Sequence, residues 1–266
     1  MTAKLSVIRK DTISKNFMVE QQTNLDNIPV FEQLWGITNE LREKLDTRFQ
    51  LHPNDATREL QSYSSLTGEA HGSLNIFSGS EIDYLIHSWL RDSKTGFSNT
   101  RLTIWLGSQT RVPHLAYEFV TVPHLFFYID YIPRSDLSID LEYLDRYYEP
   151  VNKRYLELQA DPSLEEFTSR SLYIRQVQSP ASLCFTSQVK DETITLLRTI
   201  AHEMMDRWLN WVDRAEPVAA EEQPALAARD LFIRRTIVER DPDIELAVRL
   251  FGAEMTDKLI RALWGG

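Results

Sequence analysis

The chain has 266 residues, 42% of them hydrophobic and 26% charged, an ordinary globular balance that excludes wholesale disorder and low-complexity polymer. Its 39 Asp and Glu outnumber its 29 Lys and Arg, and the formal charge of -10 disfavours general binding to nucleic acid or an anionic membrane. A lone cysteine, Cys184, excludes an intrachain disulfide and a four-cysteine metal site, which fits a reducing compartment.

The first stretch, MTAKLSVIRKDTISKNFMVEQQ, lacks the apolar core of a secretory signal and mixes acids with bases, unlike a transit peptide. No apolar run approaches the roughly 20 residues that cross a bilayer. The expectation is a soluble protein without membrane insertion, either bacterial and cytoplasmic or the processed form of a plastid stromal protein. Apolar residues from Ile28 to Phe49 recur at helical spacing. Between about Gly68 and Pro133 the period becomes two. SLNIFSG, EIDYLIHSWL, TRLTIWLGS, HLAYEFVTV and HLFFYIDYI are β-rich runs joined by connections too short for crossover helices, so they predict an antiparallel meander.

DLEYLDRYYEPVNKRYLEL then reads as a helix interrupted near Pro150. SRSLYIRQVQSPASLCFTSQ reads as a strand, a Ser-Pro break and a second strand. ETITLLRTIAHEMMDRWLNWVDRA is a long amphipathic helix. AEPVAAEEQPALAARDLFIRR opens as a linker and becomes helical, and DIELAVRLFGAEMTDKLIRALWG gives two short helices divided at Gly252. The expected fold is a single α/β domain in three layers, an α/β/α sandwich around a central antiparallel sheet. A helical amino-terminal extension over about 1–60 precedes a mainly β part over 68–190 and a mainly helical part over 191–266.

Nucleotide loops of the GxxxxGK[ST] or GxGxxG type are absent, as is a GxSxG nucleophile elbow. The run His202-Glu203-Met204-Met205-Asp206 has Asp where a zinc HExxH helix needs its second His, so His202 reads as a helix-surface histidine and no metal is expected. Cys184, between Leu183 and Phe185, reads as a buried core thiol.

The informative residues are acids among apolar neighbours. Alternation in HLAYEFVTV puts His114, Ala116, Glu118 and Val120 on one sheet face; in the next strand Asp130 shares a face with Phe126, Tyr128 and Ile132. Burial without a partner would raise such a carboxyl's pKa until it held a proton near neutrality, as a general acid must. A carboxylate paired to an arginine or backbone amide is the plainer alternative. In RDPDIE, Asp243 fits the position that caps the following helix, and Asp241 would then be free for other work or serve the loop.

EIDYLIHSWLRDSKTG, PHLAYEF, FYIDYIPRSDL, EYLDRYYE, SLYIRQVQSP and ARDLFIRRTIVERDPDIELAVRLFG together resemble the red chlorophyll catabolite reductases, in order, over about Gly68 to Trp264. The resemblance implies the α/β/α fold of the ferredoxin-dependent bilin reductases, with a linear tetrapyrrole held between the sheet and the helices behind it. It implies no bound metal, flavin or nicotinamide: reduced ferredoxin supplies electrons singly, and protein carboxyls supply protons through a substrate radical. The family's two proton-supplying acids fall on Glu118 and Asp241. Substrate contacts are expected from Arg175 and Arg235, on family arginines, and from Gln178, where plant relatives carry an aromatic residue.

Biliverdin-reducing cousins use a His and an Asp on the central sheet, and alignment to them puts Tyr128 and Asp140 near those positions. Docking of an acidic ferredoxin asks for a basic rim, for which Arg234, Arg235, Arg240, Lys258 and Arg261 are candidates. A non-catalytic bilin carrier and a reductase acting on biliverdin or another bilin are the competing readings. A homodimer is left open.

Overall fold

A computed structural model describes residues 28–121 and 123–266. The amino-terminal stretch, with the expectations about a leader and the first part of the helical extension, lies outside the described residues.

Helix α1 (Ile28–Arg48) buries Leu34, Ile37, Thr38, Leu41 and Leu45, the stripe that the apolar spacing predicts. After the short strand β1 (His52–Pro53), a 3-10 turn over Asp55–Gln61 and β2 (Tyr63–Ser64), the chain enters the expected meander. Its strands are β3 (Ala70–Ser78), β4 (Ile82–Asp92), β5 (Ser98–Leu106), β6 (His114–Thr121) and β7 (Leu125–Ile132). Each pairs antiparallel with the next.

The predicted helix near Pro150 is two helices, α2 (Leu141–Tyr147) and α3 (Glu149–Gln159), with the proline in the first turn of the second. Strand β8 (Leu164–Glu166), which lacks a legible alternation, lies at the sheet edge beyond β9 (Leu183–Ser187). The nine strands run β1-β3-β4-β5-β6-β7-β9-β8, with β2 also on β3.

SLYIRQ is not a strand. Leu172–Arg175 forms a helical turn, α4. Strand β9 pairs with β7 on one edge and β8 on the other, so this segment cannot join the strand that follows it. Its backbone is satisfied locally instead, Arg175 N donating to Ser171 O and Gln176 N to Leu172 O.

Helix α5 (Asp191–Asp213) packs with α1 on one sheet face. Leu102, Ile104, Leu115, Tyr117, Phe119 and Phe127 point into that layer, as the alternation of β5 to β7 requires. Its polar tips are satisfied: Tyr117 Oη donates to Ala201 O at 3.0 Å, and Trp208 Nε1 to Pro113 O at 2.8 Å.

The other face carries α6 (Gln223–Glu239), α7 (Ile244–Phe251) and α8 (Ala253–Trp264). There Leu74, Ile76, Tyr84, Ile86, Trp105, Ala116 and Ile132 pack against Ile233, Ile237, Leu259 and Ala262. The three-layer sandwich is therefore present.

Buried charges fasten this second helical layer. Arg134, fully buried, donates through Nη2 to Asp230 Oδ2 on α6 at 2.6 Å and through Nη1 to Thr110 O at 2.6 Å. Arg234 reaches from α6 to Asp83 Oδ2 at 2.8 Å and to Trp264 O at 3.0 Å while lying 4.3 Å over the Tyr84 ring. These anchors sit at the end of the sheet where β4 begins and β7 ends. At the opposite end the same face is only partly covered: Ser88, Leu90, Asn99, Arg101, Glu118, Val120, Phe126 and Tyr128 are all half-buried. The result is a recess between the centre of the sheet and the carboxy-terminal helices.

Candidate functional site in the half-covered sheet face

Strand register lines up one row of side chains across this recess. Ser88 on β4 faces Arg101 on β5, Arg101 faces Glu118 on β6, Glu118 faces Tyr128 on β7, and Tyr128 faces Cys184 on β9. Because adjacent strands in register present the same face, five residue types with different chemistry form a continuous polar strip.

Glu118 does not stand alone in apolar surroundings. Arg101 Nη2 donates to its Oε1 at 2.6 Å and Asn99 Nδ2 to the same oxygen at 2.7 Å. Desolvation pushes the Glu118 carboxyl upward. The adjacent Arg101 charge and the two donors outweigh it and hold the group below the ordinary glutamate range. Of the two readings the sequence leaves open, the arginine-paired carboxylate is the one found, and Arg101 holds Glu118 toward its ionised form. About a quarter of each partner's side chain stays open, so the pair faces the recess and is not sealed in the core.

The raised carboxyls are elsewhere in the same neighbourhood. Asp130, one place along β7 on the same face, is 1% exposed. Burial raises its pKa to about 6 although Ser179 N, Ser179 Oγ and Tyr128 Oη all donate to it. Asp241 follows α6, and burial raises its pKa; Arg101 pulls it down and Glu118 pushes it up, which places it within the electrostatic reach of the strip.

The division of labour between the two tail acids also differs from the sequence reading. The Asp241 Oδ1 accepts the Asp243 N–H at 2.9 Å, and the Asp243 carboxyl, at the N-cap position of α7, makes no capping bond. Asp243 is exposed over more than a third of its surface. Even so, desolvation first, and then the fields of Asp241 and Glu118, push it up to about 6.

Of the other residues expected to touch substrate, two join the strip. Tyr128 lies within it, held protonated by burial beside Asp130. Gln178 reaches it from the loop before β9, its Nε2 standing 4.0 Å from Cys184 Sγ, while burial pushes that thiol up to about 12.

The remaining three stand apart. Arg175 is exposed on α4 and donates to Ser169 O at 2.7 Å. Arg235 pairs with Glu239 at 2.8 Å on the outer side of α6 and covers the Trp264 ring. Asp140 is not on the sheet at all: it caps α2, accepting from Tyr143 N at 3.1 Å and from Ser135 Oγ at 2.5 Å. Carried over by distant alignment, it lies in the loop that follows β7, and the acids beside Tyr128 on the sheet are Glu118 and Asp130.

The expected basic rim is thinner than its sequence suggests. Arg234 is buried in the α6 anchor, and Lys258 and Arg261 are paired with Glu59 and Asp257. Arg240 lies over the Tyr173 ring.

Arg101, Asn99 and Tyr63 are the site residues that sequence reasoning missed. Tyr63 lies near Arg101, packs edge-on against Phe251 at 5.5 Å, and burial raises its hydroxyl pKa to about 12. Period-two alternation in TRLTIWL was a signal that Arg101 faces opposite to Leu102. Nothing in the string states that its strand partner would be Glu118.

Volume alone does not find this site. A hollow of about 550 Å³ on α3 is lined by Glu149, Asn152, Lys153, Leu156, Glu157 and Ala160, mostly exposed side chains of one helix, whereas the recess gathers buried titratable groups from β5, β6, β7 and the tail. Among the described residues no cluster of metal-ligating side chains occurs and no helix is long and apolar enough to cross a membrane. His202 is engaged with Glu40, its Nε2 2.9 Å from Oε2.

Comparison with known proteins adds relatives to this geometry. Rice (Oryza sativa subsp. japonica) red chlorophyll catabolite reductase 1, chloroplastic, is 28% identical over 73% of this chain and 64% of its own. The chain thus spans just under two thirds of that relative's length. The red chlorophyll catabolite reductase of Hordeum vulgare is 27% identical over 67% of this chain and 94% of its own. Tomato phytochromobilin synthase, solved in complex with biliverdin, superposes with a TM-score of 0.74 over 86% of this chain and 82% of that one; at 17% identity this establishes a shared fold. Since the red chlorophyll catabolite reductase (RCC reductase) family matches residues 35–264, nearly the whole described chain, the protein belongs to that family.

Proposed function

We propose that the chain reduces a linear tetrapyrrole of the red chlorophyll catabolite type, bound in the half-covered recess. The observation that carries this reading is the strip Arg101–Glu118–Tyr128, flanked by Asp130 and Asp241. A bilin presents propionates, lactam carbonyls and a conjugated ring system. The recess offers an arginine for bidentate anion pairing, hydroxyl and amide donors, aromatic walls from Phe126 and Tyr128, and carboxyls that hold protons.

In this reading reduced ferredoxin supplies two electrons one at a time, two protons come from the site, and one double bond of the bilin becomes saturated. Electron transfer needs no flavin, nicotinamide or resident metal. Asp241, raised by burial, begins as a proton donor. Glu118 begins ionised; when the bilin draws Arg101 to its own acidic groups, the charge that keeps Glu118 deprotonated is lifted, and Glu118 takes up a proton from solvent that it can then donate. Ferredoxin docks where the recess opens, and the local balance of charge there sets a salt-sensitive association rate.

The test is anaerobic incubation with red chlorophyll catabolite or biliverdin, ferredoxin and a reducing system, followed by absorbance and fluorescence. Turnover to a product with shortened conjugation supports the reading. A spectral shift on binding with no change on reduction would point to a bilin carrier and sink the enzyme.

A further inference from the structure

We infer that Asp130 and Tyr128 form a second proton-delivering pair of the recess, Tyr128 as the group that meets the bilin and Asp130 as the positioning residue that reloads it from behind. This rests on the reductase reading above and adds a proton route to it.

The geometry begins with β7. Residues two apart on a strand share a face, so Tyr128 and Asp130 point the same way, and Tyr128 Oη lies 3.0 Å from Asp130 Oδ2. Across β6 their partners are Glu118 and Ala116. The small side chain of Ala116 leaves the Asp130 carboxyl beside its neighbours without a charged group opposite. Tyr128 is half-buried at the recess and Asp130 is sealed behind it.

The sealed acid is held from three sides. Ser179 Oγ donates to Oδ1 at 2.5 Å and Ser179 N to Oδ2 at 2.9 Å, so the loop carrying Gln178 is fixed on the same carboxyl. Other titratable groups around the pair are Cys184 on β9, Tyr131 on β7, Tyr148 at the start of α3 and Glu118 on β6. None is a cation, so among the described residues Asp130 has no counterpart to the Arg101 charge that acts on Glu118. Burial accordingly dominates and pushes the Asp130 carboxyl up to about 6.

The Tyr128 O–H bond breaks as its proton passes to the bilin after an electron has arrived from ferredoxin. The Asp130 O–H bond breaks at the same time and a new O–H bond forms on Tyr128. The Asp130 carboxylate left behind is stabilised by the two Ser179 donors. After product leaves, a solvent proton returns through Tyr128, which alone of the two reaches the recess. Rotation about the Tyr128 C–O bond switches its hydroxyl between donating to Asp130 and accepting from it.

Three variants of the full chain, D130N, Y128F and S179A, test this by the pH dependence of bilin reduction with ferredoxin and by infrared titration of the free protein. Expected are a protonated carboxyl band that vanishes in D130N and, in S179A, persists to higher pH because a donor to the carboxylate is lost. The falling limb of kcat should move upward with it. In Y128F that limb should disappear, with kcat down about 100-fold and KM within about twofold. Uniform loss of rate at every pH, with an unmoved limb in S179A, would overturn the relay and leave Asp130 a loop anchor. Absence of turnover in the unaltered chain with every bilin would overturn the reductase reading and the relay with it.

Discussion

Arg101 and Glu118 face each other across β5 and β6, joined by a 2.6 Å charge-assisted hydrogen bond in a recess where about three quarters of each side chain is covered. Replacing Arg101 by Gln removes the charge that overrides desolvation, so the Glu118 pKa should rise through the ordinary glutamate range. The expected result in an NMR carboxyl titration is an upward shift at Glu118 in R101Q and little change in R101K. Stability should fall by about 1–2 kcal/mol in R101Q, because Glu118 keeps Asn99 and partial solvent as compensation. An unmoved Glu118 would mean that solvent, and not Arg101, governs it.

Proton supply makes a separate prediction. Glu118→Gln and Asp241→Asn preserve shape and hydrogen bonding while removing a transferable proton, so both variants should bind bilin within about threefold of the parent and lose about 10²–10⁴ in turnover. Spectral titration gives the first quantity and single-turnover reduction the second. Because Asp241 also receives the Asp243 N–H, a comparison with Asp243→Asn separates the roles: that variant should keep the Asx turn and lose less activity than D241N. Full activity in both E118Q and D241N would remove these acids from the chemistry.

The meander, the helices and the three layers were legible because period-two and period-3.6 patterns impose burial directly. The pattern also placed Glu118 on the face away from Tyr117 and Phe119, which are fully buried. It could not give Arg101 as its partner, since register between strands depends on turn lengths and on packing across the whole sheet. For the same reason the string leaves open whether each strand acid is a lone, raised carboxyl or a paired one: Glu118 has Arg101 opposite and is lowered, whereas Asp130 has Ala116 opposite and is raised. SLYIRQ differs because both edges of its neighbour β9 are taken and its backbone closes local helical bonds instead. Asp140 shows the limit of distant alignment, since it caps a helix instead of lying on the sheet.

The acid limb of stability should carry opposing signatures from buried groups. His87 and His114 are pushed down to about 4 chiefly by burial, so the unfolded chain binds more protons than the folded one between about pH 4 and 6.5. Their contribution is complete above that window and is lost as pH falls through it. Asp130, raised to about 6, has the opposite sign: the folded chain holds its proton between about pH 4 and 6, so its contribution is present at low pH and is lost as pH rises. D130N should therefore steepen the rise of stability with pH in this window by up to about 1.4 kcal/mol per pH unit. Denaturant melts at half-unit pH intervals measure the slope, and an unchanged slope would place Asp130 at an ordinary pKa.

Asp230 tests how the helical layer over the recess is secured. The Arg134 guanidinium beside it is fully buried, and His114 Nε2 stands 3.2 Å from Asp230 Oδ1 without a hydrogen-bond alignment. Asp230→Asn would leave that guanidinium charge buried with only the carbonyls of Gly107 and Thr110 as strong acceptors. Removing one partner of a buried pair costs about 3–5 kcal/mol, so D230N should unfold at markedly lower denaturant. Replacing both groups together, as Arg134→Met with Asp230→Leu, removes the stranded charge and should recover a large part of that loss. Since α6 ends at the loop that presents Asp241, D230N should also weaken bilin binding under conditions where the chain is still folded. The double variant should restore binding along with stability. Loss of stability without any change in binding would show that the loop holds its position independently of this anchor.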